Sequence, residues 1–302
     1  MSLVEQAIAR MRNQARATAG STMADAGSKP AAGSKPAAPP PIIDRLPEAA
    51  PGPAKSMTLD MDALRARGYL PEPGMDKPFA DHYRRIKRTL IDKAMSGLAA
   101  VGEPLVIMVT SALPGDGKTF TSINLALNMA LERDISVLLV DCDVAKRHVS
   151  EIVGLKEEAG LLDALADESV DTESLIVQTH LRGLSILPAG RRKEATAELL
   201  SSNRMRQIVA NLSKRNPRRI VLLDSPPLLI TNEGRTLVKI AGQIALVVRA
   251  GQTPRHAVQD ALDLFDAQQA GGIILNQVQV TRLEGYYGYG SYGSYGTAGD
   301  AP

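Results

Sequence analysis

A loop that contains two glycines, one lysine and one threonine connects a predicted strand to a predicted helix. The apolar run 105–109 precedes the sequence SALPGDGKT at 111–119, and a helical pattern of apolar residues follows from 121. Gly115 and Gly117 allow a tight turn whose N–H groups face phosphate oxygens, while Lys118 and Thr119 offer a charge for the outer phosphates and a hydroxyl for Mg²⁺. Strand, loop and helix in this order are the context that a phosphate-binding loop requires, so the segment predicts a nucleotide site.

Three aspartates follow two other predicted strands, at the points where those strands end. Asp141 and Asp143 come after the apolar run 137–140, and Asp224 comes after 220–223. In an open α/β sheet, ligands bind beyond the carboxyl ends of the strands, and Mg²⁺ takes few carboxylates together with phosphate oxygens and water. If the strand geometry continues, Asp141 and Asp143 lie on one side, so that one serves the metal while the other faces an incoming hydroxyl. Such aspartates also cap loops or helices, and the pattern leaves open which of the pair has which role.

An alternation of strand and helix patterns must position these residues. The candidate strands are continuous apolar runs, which is typical of strands buried on both faces of a mostly parallel sheet. They are 105–109, 137–140, 184–187, 220–223, 244–248 and 272–275. Amphipathic helix patterns cover 79–94, 121–131, 199–212 and 255–268. The predicted fold is therefore α/β, with a mostly parallel central sheet flanked by helices.

Composition limits the possible functions. The 302 residues are 44% hydrophobic, with three Phe and no Trp, so a sizeable aliphatic core fits one or two domains. A net charge of +2 gives no reason to expect a nucleic-acid partner, and the single cysteine, Cys142, excludes a disulfide framework. No apolar stretch approaches the roughly 20 residues of a membrane span, and no signal-peptide pattern begins the chain, so we expect a cytoplasmic protein.

Four segments differ in composition. Residues 1–18 are a predicted amphipathic helix that either docks on a partner or an anionic membrane surface, or is a frayed terminus. Residues 19–57 are a Pro/Ala-rich linker that buries too little apolar surface to fold. Residues 58–281 carry the strands and helices, and residues 282–302 are a Gly/Ser-rich tail that is predicted to be disordered. The tail contains Tyr286, Tyr287, Tyr289, Tyr292 and Tyr295.

Together the motifs resemble those of bacterial tyrosine kinases of the polysaccharide-export type. SALPGDGKT is similar to the Walker A loop of that family, LLVDCDVAKRH at 138–148 to its Walker A′ strand, and VLLDSPP at 221–227 to its Walker B strand. DHYRRIK at 81–87 resembles the family's acid-x-x-basic-x-x-basic helix motif, with Asp81 for the usual Glu and Lys87 for the usual Arg. The tyrosine tail resembles the autophosphorylation cluster. MSLVEQAIARMR at the N-terminus and DHYRRIKR resemble the subgroup associated with exosortase and exopolysaccharide gene clusters.

The resemblance implies a P-loop NTPase fold and an ATP- and Mg²⁺-dependent protein-tyrosine kinase that autophosphorylates its tail and regulates exopolysaccharide synthesis or export. The residues that would bind ATP are Pro114, Gly115, Asp116, Gly117, Lys118, Thr119 and Phe120. Those that would bind the metal are Thr119, Asp141 and Asp224, and those with a catalytic role are Lys118, Asp141 and Asp143. We expect Asp143 to be the carboxylate further from the metal.

The resemblance also implies partners. Asp81, Arg84 and Lys87 would join subunits into a ring, although charges on a helix are usually a solvated face. A separate membrane protein would activate the kinase and hold it at the inner membrane. A tyrosine phosphatase would reverse the labelling of the tail.

Two alternatives remain open from the sequence. A partitioning or division-site ATPase would have a further lysine early in the loop, where this chain has Leu113. Separately, Ala112 stands where the general phosphate-binding motif has its first glycine. An assembly module for export machinery would bind nucleotide and use the tail as an adhesive. Phosphotyrosine after incubation with Mg·ATP indicates the kinase, free phosphate alone indicates the ATPase, and neither product indicates the module.

Overall fold

One eight-stranded sheet organises the part of the chain that the computed structural model describes, residues 55–96, 103–191 and 196–278. The strands are β1 (Lys55–Met57), β2 (Glu103–Ser111), β3 (Ser136–Asp141), β4 (Val177–Thr179), β5 (Leu184–Leu187), β6 (Arg219–Asp224), β7 (Ala241–Arg249) and β8 (Ala270–Asn276). Their spatial order is β1-β4-β5-β3-β6-β2-β7-β8, and all neighbouring pairs are parallel except β4 and β5. The predicted α/β fold with a mostly parallel sheet is confirmed.

Helices cover both faces of this sheet. They are α1 (Met61–Ala66), α2 (Asp76–Met95), α3 (Lys118–Met129), α4 (His148–Ile152), α5 (Leu161–Ala166), α6 (Thr196–Leu200), α7 (Asn203–Lys214), α8 (Asn232–Val238) and α9 (Arg255–Leu262). Short 3₁₀ turns lie at Thr172–Leu175 and Ala267–Gln269. None of these described helices is long and apolar enough to cross a membrane.

The side chains of β2 show how the sheet divides the core. Val106 and Met108 belong to an apolar cluster that includes residues of α5, α7 and α8, while Ile107 and Val109 belong to a second cluster with residues of α2 and α3. All four side chains are fully buried. Because successive residues of a strand point to opposite faces, a strand covered on both sides has an unbroken apolar sequence.

The order of the three central strands brings the predicted site together. β6 lies between β3 and β2, and all three are parallel, so their carboxyl ends meet at one edge of the sheet. In this register Asp141 at the end of β3 is the direct neighbour of Asp224 at the end of β6. The loop that follows β2 leads into α3 at the same edge.

The predicted linker extends too far, because its last three residues form β1. Lys55–Met57 pairs in parallel with β4, and the His180 N–H donates to the Met57 carbonyl at 2.9 Å. Lys55 also forms an ion pair of 2.6 Å with Glu158. Residues 55–57, which the proline-rich composition assigned to the linker, therefore belong to the sheet. The predicted helix at 1–18, the remainder of the linker and the tyrosine tail lie outside the described residues.

Two of the four predicted helices are divided or shortened in the structure, while the other two shift by one to three residues at their ends. The pattern at 199–212 is divided between α6 and α7, because Ser202 caps the start of α7 by accepting a hydrogen bond from the Met205 N–H at 3.3 Å. The pattern at 255–268 ends as α9 at Leu262 and is followed by a 3₁₀ turn.

Candidate active site

The loop between β2 and α3 adopts the backbone that its glycines allow. Gly115 and Gly117 have φ angles of 87° and 95°, values that residues with a Cβ rarely adopt. α3 begins at Lys118, directly after Gly117, which has no side chain to cap the helix. The first N–H groups of a helix have no acceptor within the helix, so this end of α3 presents donors and a partial positive charge to an anion.

Lys118 places its charge next to a carboxylate in the interior of the site. Its Nζ lies 3.5 Å from Asp143 Oδ2, and both side chains are almost completely buried. Asp143 Oδ2 has no hydrogen-bond donor, and a separation of 3.5 Å is an ion pair rather than a good hydrogen bond. The pair is therefore held loosely enough for either group to take a different partner.

Asp224 accepts hydrogen bonds from two hydroxyls on one face of α3. Thr119 Oγ1 donates to Oδ2 at 2.9 Å, and Ser122 Oγ donates to Oδ1 at 2.8 Å. Complete burial raises the pKa of Asp224 to about 6, against the opposing effects of Lys118 and the two hydroxyls. The structure thus brings the predicted metal ligands Thr119 and Asp224 into direct contact.

Asp141 has one oxygen in use and one free. The N–H and the hydroxyl of Ser150 in α4 donate to its Oδ2 at 2.8 and 2.6 Å. Its Oδ1 is buried and has no hydrogen-bond partner, while Asp224 lies beside it in the sheet. Burial and the neighbouring carboxylate raise the pKa of Asp141 to about 7, despite the two hydrogen bonds from Ser150. The approach of a cation would favour the charged form of this carboxyl group.

The chemistry of these donors fits a nucleotide with Mg²⁺. Mg²⁺ keeps several waters and takes one or two carboxylates together with phosphate oxygens, and the site offers a threonine hydroxyl, Asp224 and the free oxygen of Asp141. Within residues 55–96, 103–191 and 196–278, no group of three or more His, Cys, Asp or Glu side chains is arranged to bind a metal by itself. Cys142 is buried, and burial raises the pKa of its thiol well above the ordinary value, so it does not act as a thiolate.

The remaining residues of the predicted nucleotide site differ in how far they are buried and in what their side chains contact. Pro114 and Gly115 are exposed at the tip of the loop, whereas Asp116 is buried. The Phe120 ring packs edge-on against Phe79 of α2, with 5.8 Å between the ring centroids. Its side chain thus belongs to the contact between α2 and α3, and its contribution at the first turn of α3 is a backbone N–H.

The residues predicted to join subunits are divided between two environments. Asp81 and Arg84 are paired with each other at 2.8 Å on the exposed surface of α2. Lys87 is buried, where it forms an ion pair of 2.7 Å with Glu132 and donates to the Asn128 carbonyl at 2.8 Å. Lys87 therefore holds α2 to the end of α3 within one subunit, and a role between subunits stays a prediction.

Four contributing residues were missed in the sequence. Ser122 follows Thr119 by three positions, so the helical period could have placed it on the same face. Ser150, Thr253 and Asn276 gave no such signal, because α4, the turn after β7 and the end of β8 reach the site only in the folded chain. The predicted tyrosines, Tyr286, Tyr287, Tyr289, Tyr292 and Tyr295, lie outside the described residues.

A cleft of about 250 Å³ opens beside the loop. Its lining includes Pro114, Asp143, Val144, Pro227 and Ile230, and Ile230 is 62% exposed. The lining also contains a second carboxylate, Glu233, together with one lysine and two threonines. The cleft therefore combines apolar side chains with polar and charged ones, which suits a planar apolar group that carries a hydroxyl. A larger cleft of about 390 Å³, between α7 and residues 168–173, contains no residue of the loop and plays no part in this site.

The fold and the loop have counterparts in known proteins. Residues 105–262 match the model of a family described as an AAA domain. The chain is 33% identical over 183 residues to the tyrosine-protein kinase wzc of Salmonella typhimurium (strain LT2), covering 60% of this chain and 25% of that protein. It is 29% identical over 213 residues to the succinoglycan biosynthesis transport protein ExoP of Rhizobium meliloti (strain 1021), covering 69% of this chain and 26% of that protein.

A solved structure is similar over most of the described region. The BceF tyrosine kinase domain superposes with a TM-score of 0.55 and 27% sequence identity, covering 72% of this chain and 86% of that one. This chain spans about a quarter of the length of wzc and of ExoP.

Proposed function

The chain belongs to the family that is described as an AAA domain, and we propose that it is a protein-tyrosine kinase. Such an enzyme transfers the terminal phosphoryl group of ATP to tyrosine. The observation that supports this most directly is the cluster of one lysine, one threonine and three aspartates around a single phosphate-binding loop. The names of the relatives, tyrosine-protein kinase wzc and BceF tyrosine kinase domain, support the same activity.

Phosphoryl transfer requires mainly positioning and neutralisation of charge from the protein. Bound Mg·ATP would supply the phosphoryl group and a divalent charge. Lys118 turns from Asp143 to an outer phosphate oxygen, which its loose 3.5 Å pairing allows, and it neutralises charge that develops during transfer. Thr119 and Asp224 hold the metal side of the site, and the N–H groups at the start of α3 hold phosphate oxygens.

Asp141, the last residue of β3, and Asp143, two residues further on, have different roles in this proposal. Asp141 lies against Asp224 and does not line the cleft beside the loop, so it serves the metal through its free oxygen. Asp143 does line the cleft, and once Lys118 has turned to the phosphate it accepts the proton of the incoming tyrosine hydroxyl. The apolar part of the cleft lining, which includes Val144, Pro227 and Ile230, receives the tyrosine ring.

The tyrosines of the tail are the proposed acceptors. Tyr286 follows Asn276 by ten residues, and the Asn276 side chain contacts the phosphate-binding loop. Ten extended residues span at most about 35 Å, so the chain length allows the tail to reach the site of its own subunit or of a neighbour. We favour transfer between subunits, with exposed Asp81 and Arg84 contributing to a ring contact.

The proposed cellular role of this kinase is in exopolysaccharide export. It is supported by the name of ExoP, a succinoglycan biosynthesis transport protein. In this role a separate membrane protein activates the kinase, and a tyrosine phosphatase removes the label.

The test is incubation of the purified chain with Mg·ATP, followed by mass spectrometry for phosphotyrosine and an assay for free phosphate. We expect phosphotyrosine within residues 286–295. A control with all five tail tyrosines changed to Phe keeps the active site, so it should still bind ATP but lose this label. Free phosphate without phosphotyrosine from the unaltered chain would identify an ATPase instead.

A further inference from the structure

We propose that Asp116, Thr253 and Asn276 form a bridge that fixes the shape of the phosphate-binding loop before a nucleotide arrives, with Thr253 and Asn276 as positioning residues. The bridge joins three elements that are distant in sequence: the loop itself, the turn after β7 and the end of β8. The inference rests on the proposed nucleotide site, and it holds whether the phosphoryl group passes to tyrosine or to water.

Asp116 is the centre of this bridge. It is 4% exposed, although both of its glycine neighbours have left-handed backbone conformations in a loop whose tip is exposed. The Thr253 hydroxyl donates to its Oδ1 at 2.7 Å, and the Leu113 N–H donates to its Oδ2 at 3.2 Å. Asn276 Nδ2 donates to its carbonyl oxygen at 3.0 Å. Every oxygen of Asp116 thus has a donor.

The donors are themselves fixed to the sheet. Thr253 Oγ1 accepts a hydrogen bond from the Arg249 N–H at 3.0 Å, and the Thr253 N–H donates to the Arg249 carbonyl at 3.0 Å. The Ala250 N–H donates to the Asn276 carbonyl at 2.9 Å, which joins the ends of β7 and β8. The phosphate-binding loop is therefore held in place by residues at the ends of β7 and β8, which are distant from the loop in sequence.

Gly117 allows this close contact. A Cβ built at Gly117 would lie only 1.9 Å from Asn276 Nδ2, so the asparagine amide occupies the space that any larger residue would need. The glycine has a φ angle of 95°, which independently disfavours other residues. The glycine before the lysine thus serves the bridge as well as the turn.

The bridge has a physical purpose in a loop that binds anions. Asp116 keeps its negative charge, but the Thr253 hydroxyl and the Leu113 N–H hold its two oxygens and thereby fix the position of that charge relative to bound phosphates. A loop that is already fixed also loses less conformational freedom when a ligand binds, so its affinity is higher. Both effects predict that loss of the Thr253 hydroxyl weakens nucleotide binding.

The experiment compares Thr253→Val, which keeps the shape but removes the hydroxyl that donates to Asp116 and accepts from the Arg249 N–H, with Thr253→Ser, which keeps that hydroxyl. Equilibrium dialysis with radiolabelled ATP should give a dissociation constant about tenfold higher for Thr253→Val and within about twofold of the unaltered chain for Thr253→Ser, the change expected for a hydrogen bond to a charged group. Hydrogen exchange of the amides in Leu113–Gly117 should accelerate in the valine variant alone. In steady-state kinetics, KM for ATP should rise more than kcat falls.

A double-mutant cycle tests whether Thr253 acts through Asp116. In the Asp116→Ala background, Thr253→Val should change the dissociation constant by less than about twofold, because its acceptor is already gone. Equal binding by the valine variant and the unaltered chain would overturn the proposal. So would an equal loss in the serine and valine variants, or a full tenfold effect of Thr253→Val without Asp116.

The experiments distinguish a failure of the proposed bridge from a failure of the proposed kinase activity. ATP binding and hydrogen exchange are measured without phosphotyrosine, so the bridge can be tested even if the chain proves to be an ATPase. Conversely, a kinase whose ATP affinity does not depend on Thr253 would contradict only the bridge.

Discussion

Replacing Asp141 by Asn should make the fold more stable while it removes activity. Asp141 is completely buried next to Asp224, and one of its oxygens has no hydrogen-bond partner. Asn has the same shape and keeps a carbonyl oxygen for the two hydrogen bonds from Ser150, and its amide group can donate towards Asp224. The substitution therefore removes a buried charge without creating a cavity.

The size of the effect follows from the pKa of this carboxyl group. Its pKa rises from 3.8 to about 7 in the folded state, chiefly because of burial. Between these values the folded protein holds a proton that the unfolded chain has released, so the free energy of unfolding falls as the pH rises from about 4 to about 7. About three pKa units at 1.36 kcal/mol each correspond to about 4 kcal/mol at pH 8, and we expect Asp141→Asn to recover about 2–4 kcal/mol.

The assay is urea denaturation in EDTA without nucleotide, at pH 5 and pH 8. The stability gain of Asp141→Asn should be less than half as large at pH 5 as at pH 8, because only the first part of the range from 3.8 to about 7 has been crossed at pH 5. Asp62→Asn is a matched control, since that carboxylate is fully exposed, and it should alter stability by less than about 0.5 kcal/mol. A variant that is less stable than the unaltered chain at pH 8, or a gain that is equal at both pH values, would refute this reasoning.

Three further predictions concern other parts of the site and its surroundings. Lys87→Met should lower the free energy of unfolding by about 1–2 kcal/mol, because it removes the hydrogen bond to the Asn128 carbonyl and the ion pair with Glu132. Arg84→Ala should change it by less than about 0.5 kcal/mol and affect only sedimentation. Gly117→Ala should weaken ATP binding in equilibrium dialysis by roughly tenfold or more, because the added methyl group would displace the Asn276 amide and a φ of 95° strains a residue that has a Cβ. Asp143→Asn should slow phosphotyrosine formation by roughly 10²–10⁴-fold with ATP affinity kept, while Asp141→Asn should weaken Mg·ATP binding as well, and equal affinities of the two variants would mean that the roles are wrongly divided.

The central strands could be predicted from sequence because their burial leaves a simple trace. β3 and β6 each have four consecutive apolar residues between polar ends, and β5 is apolar except for Ser185, since these strands are buried in the sheet. β1 and β4 have three residues each, and their existence depends on pairing between segments more than 100 residues apart. α4 is equally difficult, because it is only five residues long and begins after Arg147, whose φ angle of 53° carries no reliable sequence signal.

The identities of the reactive residues were also predictable, but their hydrogen bonds were not. Lys118 and Asp224 follow from strand ends and loop spacing, which are local features. The free oxygen of Asp141 depends on Ser150, and the shape of the loop depends on Thr253 and on the end of β8, so both require the folded chain. The buried position of Lys87 was hidden for the same reason, because a lysine in a charged helix looks identical whether it faces water or α3.

The most direct test of the kinase proposal is a time course of phosphotyrosine in the purified chain and in Lys118→Met, with Mg·ATP and mass spectrometry as the readout. Lys118→Met replaces the charge of a buried side chain with an apolar group of similar length, so thermal melting should show that the variant still folds. We expect phosphotyrosine that increases with time in the unaltered chain and none in the folded variant. Equal labelling of both proteins, or no phosphotyrosine in either, would contradict it.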